Sequence, residues 1–131
     1  MKSVKNLRIY LKALELVGKI YKLVKENQTL YRDFSLCDQL KRASVSVPAN
    51  ISEGYARSNK QFKNYLEIAK GSDNEVITLL DIVKLVYNID TNSLQNEYDI
   101  LARQITSFFK LFLIFLLFPT IFNYLQLFTT I

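Results

Sequence analysis

The sequence predicts an all-α protein, an antiparallel up-and-down four-helix bundle. Gly and Pro are scarce, 3 and 2 in 131 residues, which leaves little material for hairpin turns. Apolar residues recur at alternating intervals of 3 and 4 through four long segments, the period of an α-helix. The segments are joined by short connections, which suit antiparallel neighbours.

The first helix is expected from about Val4 to Glu26. Ile9, Ala13, Leu16, Ile20 and Leu23 form one apolar stripe, and Tyr10, Leu14, Val17, Tyr21 and Val24 a second beside it. Two stripes make a face wider than one bundle seam buries, which predicts a homo-oligomer. Lys5, Arg8, Lys12, Glu15, Lys19, Lys22 and Glu26 form a mainly basic edge alongside.

The second helix begins near Leu36 and contains DQLKRASVSVPANISEGY, residues 38–55. Three serines, three β-branched residues and a proline stand where helix interior is expected. Leu36, Leu40, Ala43, Val47, Ile51 and Gly54 hold one face, and Val45, Ala49 and Ala56 another. Small residues let neighbours approach closely on more than one side. Pro48 removes a backbone hydrogen bond, and Ser44 can bond back to a carbonyl one turn earlier. Such a helix is held by packing rather than propensity.

The third helix opens with the capping box Ser58-Asn59-Lys60-Gln61. Its predicted stripe is Phe62, Tyr65, Ala69, Ser72, Val76, Leu79, Val83 and Val86. Gly71-Ser72-Asp73-Asn74-Glu75 looks like a stop and a second cap, but the stripe keeps phase through it. One long helix with a close contact at Gly71 is expected. A turn at residues 88–93 leads to the fourth helix, with Leu94, Tyr98, Leu101, Ile105, Phe108 and Phe112 facing the core. Residues 1–112 form the bundle domain in this reading, and residues 113–131 a hydrophobic tail.

Composition narrows the chemistry. There is no His and a single Cys, Cys37, so a His-ligated metal and a thiol–imidazole nucleophile are excluded. Cys37 reads as a small core residue. No cofactor, metal or catalytic residue is expected. The N-terminus lacks the apolar run of a secretory signal, so a cytoplasmic protein is expected. Residues 1–70 carry 14 Lys/Arg against 6 Asp/Glu, while residues 71–131 carry 3 against 6. A basic half points to an acidic partner or, more plainly, to a lysine-rich solvated surface.

The stretch DQLKRASVSVPANISEGYARS, followed by F-x-x-Y-L-x-I-A-K-G-S-x-x-E at residues 62–75, resembles a small bacterial four-helix-bundle family. That family is named for proteins encoded in 23S rRNA intervening sequences and is also called S23-type. The resemblance covers roughly residues 6 to 110. It rests on Gln39, Arg42, Ala43, Ser46, Pro48, Asn50, Ile51, Glu53, Gly54, Arg57, Leu66, Ala69, Gly71, Ser72 and Glu75. It implies a ring-like homopentamer and no catalytic activity. A related branch, the accessory variability protein of diversity-generating retroelements, is a basic pentamer that binds nucleic acid and a reverse transcriptase. The chain departs from the pattern in two places. Tyr10 stands where the family often has Trp, and LFLIFLLFPTIFNYLQLFTTI replaces the usual charged tail.

Arg42, Glu53 and Glu75 are expected to form an ion pair linking the second and third helices, or linking subunits. Arg8, Lys12, Lys19, Lys22, Lys41, Arg42, Arg57, Lys60, Lys63 and Lys70 are the candidate phosphate-binding cations. Tyr31, Tyr55 and Tyr65 are candidates for stacking on bases, with core packing the plainer reading of each. Pro48, Asn50, Gly54, Gly71 and Ser72 complete the structural motif. The expected function is a non-enzymatic homo-oligomer, a pentamer by resemblance, binding RNA first and DNA second. The alternatives are a protein-binding scaffold or accessory subunit, for example of a reverse transcriptase, and a tail-anchored membrane protein. Residues 111–131 have no charge and are long enough for a bilayer. Yet Pro119, Asn123, Gln126, Thr129 and Thr130 dilute them. A frame-shifted terminus or an extension packed in the oligomer is therefore favoured over an anchor, and a membrane is not expected as a partner.

Overall fold

A computed structural model describes residues 3–120 of the protein. Residues 121–131 of the expected tail lie outside the described residues. Ser3 caps a single 3-10 turn, Val4–Asn6, by accepting a hydrogen bond from the Lys5 amide. Helix α1 follows as Arg8–Glu26 and buries Ile9, Ala13, Leu16, Ile20 and Val24. The first predicted stripe is thus the core face, except that Val24 takes the last place and Leu23 is half-buried.

A short helix absent from the sequence expectation, α2, spans Gln28–Tyr31 and buries Leu30. Cys37 is buried beneath it, its Sγ donating to the Leu30 carbonyl at 3.0 Å. Asp33 then caps α3, Phe34–Tyr55, by accepting from the Leu36 amide at 3.1 Å. Helix α4 is Asn59–Tyr87, capped by Ser58, whose hydroxyl accepts from the Gln61 amide. Asn88 ends it in the left-handed region at φ 54°, a conformation that Asn tolerates and helix C-termini favour. Helix α5 runs from Asn92 to Leu117 and continues without a break past residue 112. The four long helices form a closed ring: α1 packs on α3, α3 on α4, α4 on α5, and α5 back on α1. This is the predicted four-helix bundle.

The weak helix formers of α3 are spent on its contact with α4. Ser44 Oγ donates to the Lys41 carbonyl at 2.8 Å and needs no solvent. Ser46 Oγ lies 2.7 Å from Ser72 Oγ across the interface, and Asn50 Nδ2 donates to both the Ser46 carbonyl and hydroxyl. The polar motif residues therefore satisfy one another where the helix backbones approach closely. Pro48 is buried within α3, which continues through it.

Gly54 is the point of closest approach. A Cβ there would stand 2.5 Å from the Tyr65 Cβ. Gly71, where the close contact was expected, is exposed with nothing within 4 Å of an added Cβ. The helix does continue through Gly71, because one glycine costs only about 1 kcal/mol and α4 is packed on two sides.

The core face of α4 also differs from expectation. Phe62, Leu66, Ala69, Asp73, Val76, Leu80 and Val83 are buried, with Leu79 beside them. Tyr65 and Ser72 are half-buried and Val86 is exposed. The observed stripe has spacing 4, 3, 4, 3, 4, 3, as regular as the predicted one. The fold chose the register that buries Leu66 and Leu80 and accepted Asp73 with them.

Candidate nucleic-acid interface

Two ends of the bundle differ in chemistry. At one end lie the C-terminus of α1, α2, the N-terminus of α3 and the C-terminus of α4, where the Tyr87 hydroxyl donates to Asp33 at 2.6 Å. That hydrogen bond, joined by the Leu36 amide, holds the Asp33 carboxyl below the usual range. Two adjoining grooves open here. One is lined by Tyr21, Lys22, Lys25, Glu26, Tyr31 and Lys41. The other is lined by Tyr31, Phe34, Cys37, Asp38 and Lys41. Val24 floors both.

The short helix α2 creates this surface by lifting Tyr31 out of the core while Leu30 points in. Tyr31 is 53% exposed and Phe34 75%. Lys41 Nζ sits 5.0 Å over the Tyr21 ring, an attraction of about 0.5–1 kcal/mol at an exposed site. Two half-exposed tyrosines and a phenylalanine thus alternate with Lys22, Lys25 and Lys41. Aromatic rings offer a stacking platform for bases, and lysines offer charge for the backbone that joins them. Of the acids nearby, Glu26 lies 3.8 Å from Lys22 and Asp38 is paired with Arg42 at 2.9 Å.

The basic edge of α1 is less available than its sequence suggests. Lys19 Nζ contacts Glu97 of α5 at 2.7 Å and Glu15 at 3.4 Å. Lys12 contacts Glu15 at 3.1 Å and Glu97 at 3.7 Å. Hydrogen bonding to Glu97 above all raises the Lys19 ammonium, while the bonds from Lys12 and Lys19 lower the Glu15 carboxyl. Arg57 pairs with Glu53 at 2.7 Å, and Lys70 with Glu67 at 3.8 Å. Lys63 lies over the Phe109 ring. Among the described residues Arg8 and Lys60 have no carboxylate partner.

The expected ion pair between the second and third helices does not form within the chain. Arg42 is exposed and binds Asp38 on its own helix. Glu75 is exposed on α4. Glu53 bridges helices differently, accepting from Arg57 and from the Tyr65 hydroxyl of α4 at 3.2 Å, and these bonds lower its carboxyl. Spacing put all three near small residues, but the buried face of α3 holds Ala43, Val47, Ile51 and Gly54, and Arg42 and Glu53 are exposed beside it. Tyr55 packs edge-to-face on Phe62, and Tyr65 lies beneath Arg57, so neither joins the exposed pair Tyr31 and Phe34.

Besides Lys25 of the groove, the charged residue that sequence reading missed is Asp73. It is 0% exposed, and neither carboxylate oxygen has a hydrogen-bond partner among the described residues. Burial, with a smaller push from Asp99, raises its pKa to about 7. The Tyr98 hydroxyl of α5 is likewise buried and unpartnered, and burial followed by the charge of Asp73 pushes that phenol up. The signal was present: an Asp at a core position of the alternative α4 stripe. Among the described residues no group of His, Cys, Asp and Glu is arranged to hold a metal.

A family model described as 23S rRNA-intervening sequence protein matches residues 5–107, most of the chain. The chain belongs to that family. The match ends within α5, so the apolar end of that helix lies beyond the part the family shares. A solved structure from Bacteroides thetaiotaomicron VPI-5482, described as a protein with unknown function from the S23 ribosomal protein family, superposes with a TM-score of 0.71. It is 26% identical, and the match covers 78% of this chain and 98% of that one. No curated protein matches this chain.

Proposed function

We propose that this member of the 23S rRNA-intervening sequence family is a non-enzymatic, homo-oligomeric bundle protein that binds single-stranded nucleic acid, RNA first. The observation that carries the reading is the groove where Tyr21, Tyr31 and Phe34 alternate with Lys22, Lys25 and Lys41. Exposed aromatic rings give bases a surface to stack on, and lysines between such rings suit phosphates. Repetition of the groove in an oligomer would add avidity without new contacts.

The test is anisotropy with single-stranded RNA at several salt concentrations. Log affinity falls linearly with log salt, with little sequence preference. Tyr31→Ala weakens binding by about 1–3 kcal/mol for the lost stack. Replacing Lys22, Lys25 and Lys41 by Gln flattens the salt slope, whereas Lys12→Gln with Lys19→Gln leaves it nearly unchanged, since Glu15 and Glu97 already occupy those ammoniums. No binding by the parent protein at low salt discards this reading. A protein-binding scaffold or accessory subunit then stands first, favoured by the exposed Leu14, Tyr21 and Val45 on the outer faces of α1 and α3.

A further inference from the structure

The opposite end of the bundle gathers the N-terminus of α1, the C-terminus of α3, the N-terminus of α4 and the C-terminal part of α5. Phe62 packs edge-to-face on Phe108 and Phe112, and Tyr55 on Phe62, which closes the core. Beyond that aromatic plug α5 keeps going. Leu111, Leu113, Ile114, Leu116, Leu117 and Phe118 are each 40–71% exposed, and they lie on several sides of the helix. A helix apolar all round is not a surface helix of a water-soluble bundle. An 18-residue stretch of α5 is, by length and composition, apolar enough to cross a bilayer. Its first half, however, carries Glu97, Asp99 and Arg103 and buries Tyr98, Leu101 and Ile105 in the bundle. Past Phe112, which packs on Phe62 and Phe108, the exposed apolar side chains of α5 are Leu113, Ile114, Leu116 and Leu117.

The charges around the base of that end share one sign. Within residues 3–11, 53–65 and 106–120 the bases are Lys5, Arg8, Arg57, Lys60, Lys63 and Lys110; the acid Glu53 is neutralised by Arg57, and Glu15, which lines a groove with Arg8, is held by Lys12 and Lys19. From residue 111 to residue 131 the sequence has no charge. A collar of cations from three segments thus lies at the end of the bundle where α5 becomes charge-free. The helix from Leu111 to Leu117 extends about 10 Å past Lys110, the depth from headgroups into the acyl boundary.

We propose that this end of the molecule docks on a bilayer bearing anionic headgroups. The apolar end of α5 enters the acyl layer, and Lys5, Arg8, Lys60, Lys63 and Lys110 lie against the headgroup phosphates. A lipid surface fits both halves of the feature. Nucleic acid would satisfy the collar but leave the leucines in water. A second copy of the chain would cover the leucines but bring two like-charged collars together, a costly arrangement. The inference is independent of the groove at the other end of the bundle, which would remain open to solution.

The test is density-gradient flotation of the full chain, synthesised in the presence of vesicles of phosphatidylcholine alone or with a minor share of phosphatidylglycerol. Bound chain floats and aggregated chain sinks. The chain floats with the anionic vesicles and far less with the neutral ones. Lys60→Gln, Lys63→Gln and Lys110→Gln each lower the anionic partition by about fivefold. Leu113→Gln with Leu117→Gln abolishes flotation while circular dichroism stays helical, since both side chains are exposed. A chain that sinks with both vesicles overturns the proposal. Equal flotation on both lipids, unchanged in the lysine variants, overturns it too. A sinking particle whose mass falls in the leucine variant assigns the surface to a second copy. Loss of RNA binding in the lysine variants, without flotation, assigns it to nucleic acid.

Discussion

Asp73 is a carboxyl group in a place that hydrocarbon should occupy. Its folded pKa of about 7 lies above the ordinary carboxyl value, so the folded state holds a proton that the unfolded chain releases near pH 4. The resulting stability is complete below about pH 4 and is lost as pH rises to about 7. Glu15, Asp33 and Glu53 have lowered carboxyls and act only at more acidic pH, so they do not mask this window. Urea midpoints of the parent protein should fall between pH 5 and pH 8. Asp73→Asn should remove most of that slope, on the order of 2–4 kcal/mol. An unchanged slope in the variant would mean that Asp73 stays ionised in the fold. The two glycines give a second contrast. Gly54→Ala should destabilise by about 1–3 kcal/mol, because the added methyl meets the backbone-anchored Tyr65 Cβ. Gly71→Ala should stabilise by up to about 1 kcal/mol, because its site is helical, exposed and open. Thermal melts of the two variants decide the matter, and equal shifts would refute the assignment of the close approach to Gly54.

At the scale of elements, α1 and α3 each carry an apolar face that the single chain does not cover. The second stripe of α1 leaves Leu14 and Tyr21 more than 40% exposed, and the outer face of α3 leaves Val45 at 43%. Each fully buried side chain of this size is worth about 1.5–3 kcal/mol, so these faces represent unused burial. Helix α5 is different in kind: its first half is amphipathic and locked by Lys19 and Lys12 onto Glu97, while its last turns have no polar side. The same element therefore stabilises the bundle and supplies an end that needs another environment.

For the whole molecule the expectation is assembly. Light scattering on a chain ending at Phe112 should report a multiple of the monomer mass at micromolar concentration, with five copies favoured by resemblance. Leu14→Glu with Val45→Glu should lower that mass without loss of helix signal, since both positions are exposed in the single chain. A monomer mass for the parent chain would remove the oligomer.

Periodicity alone determined the four long helices, because a 3/4 repeat leaves few other ways to bury Leu16, Leu40, Leu80 and Leu101 together. It determined the Ser58 cap, whose box is local chemistry. It also determined the apolar excess of α1, which is a count of residues against one seam. It put α4 on the stripe through Tyr65, Ser72 and Val86, and packing against α3 and α5 selected instead the equally regular one containing Asp73. Which lysines are neutralised was likewise a tertiary matter. Glu97 lies 78 positions from Lys19 in sequence, and no local pattern brings them together. The groove arises from a four-residue helix too short for any period to reveal, and the cationic collar assembles from three separate segments. Local spacing fixes which face of a helix is apolar, but relative helix rotation and end-to-end placement depend on the summed packing of the whole core, and those two quantities decide what the surface presents.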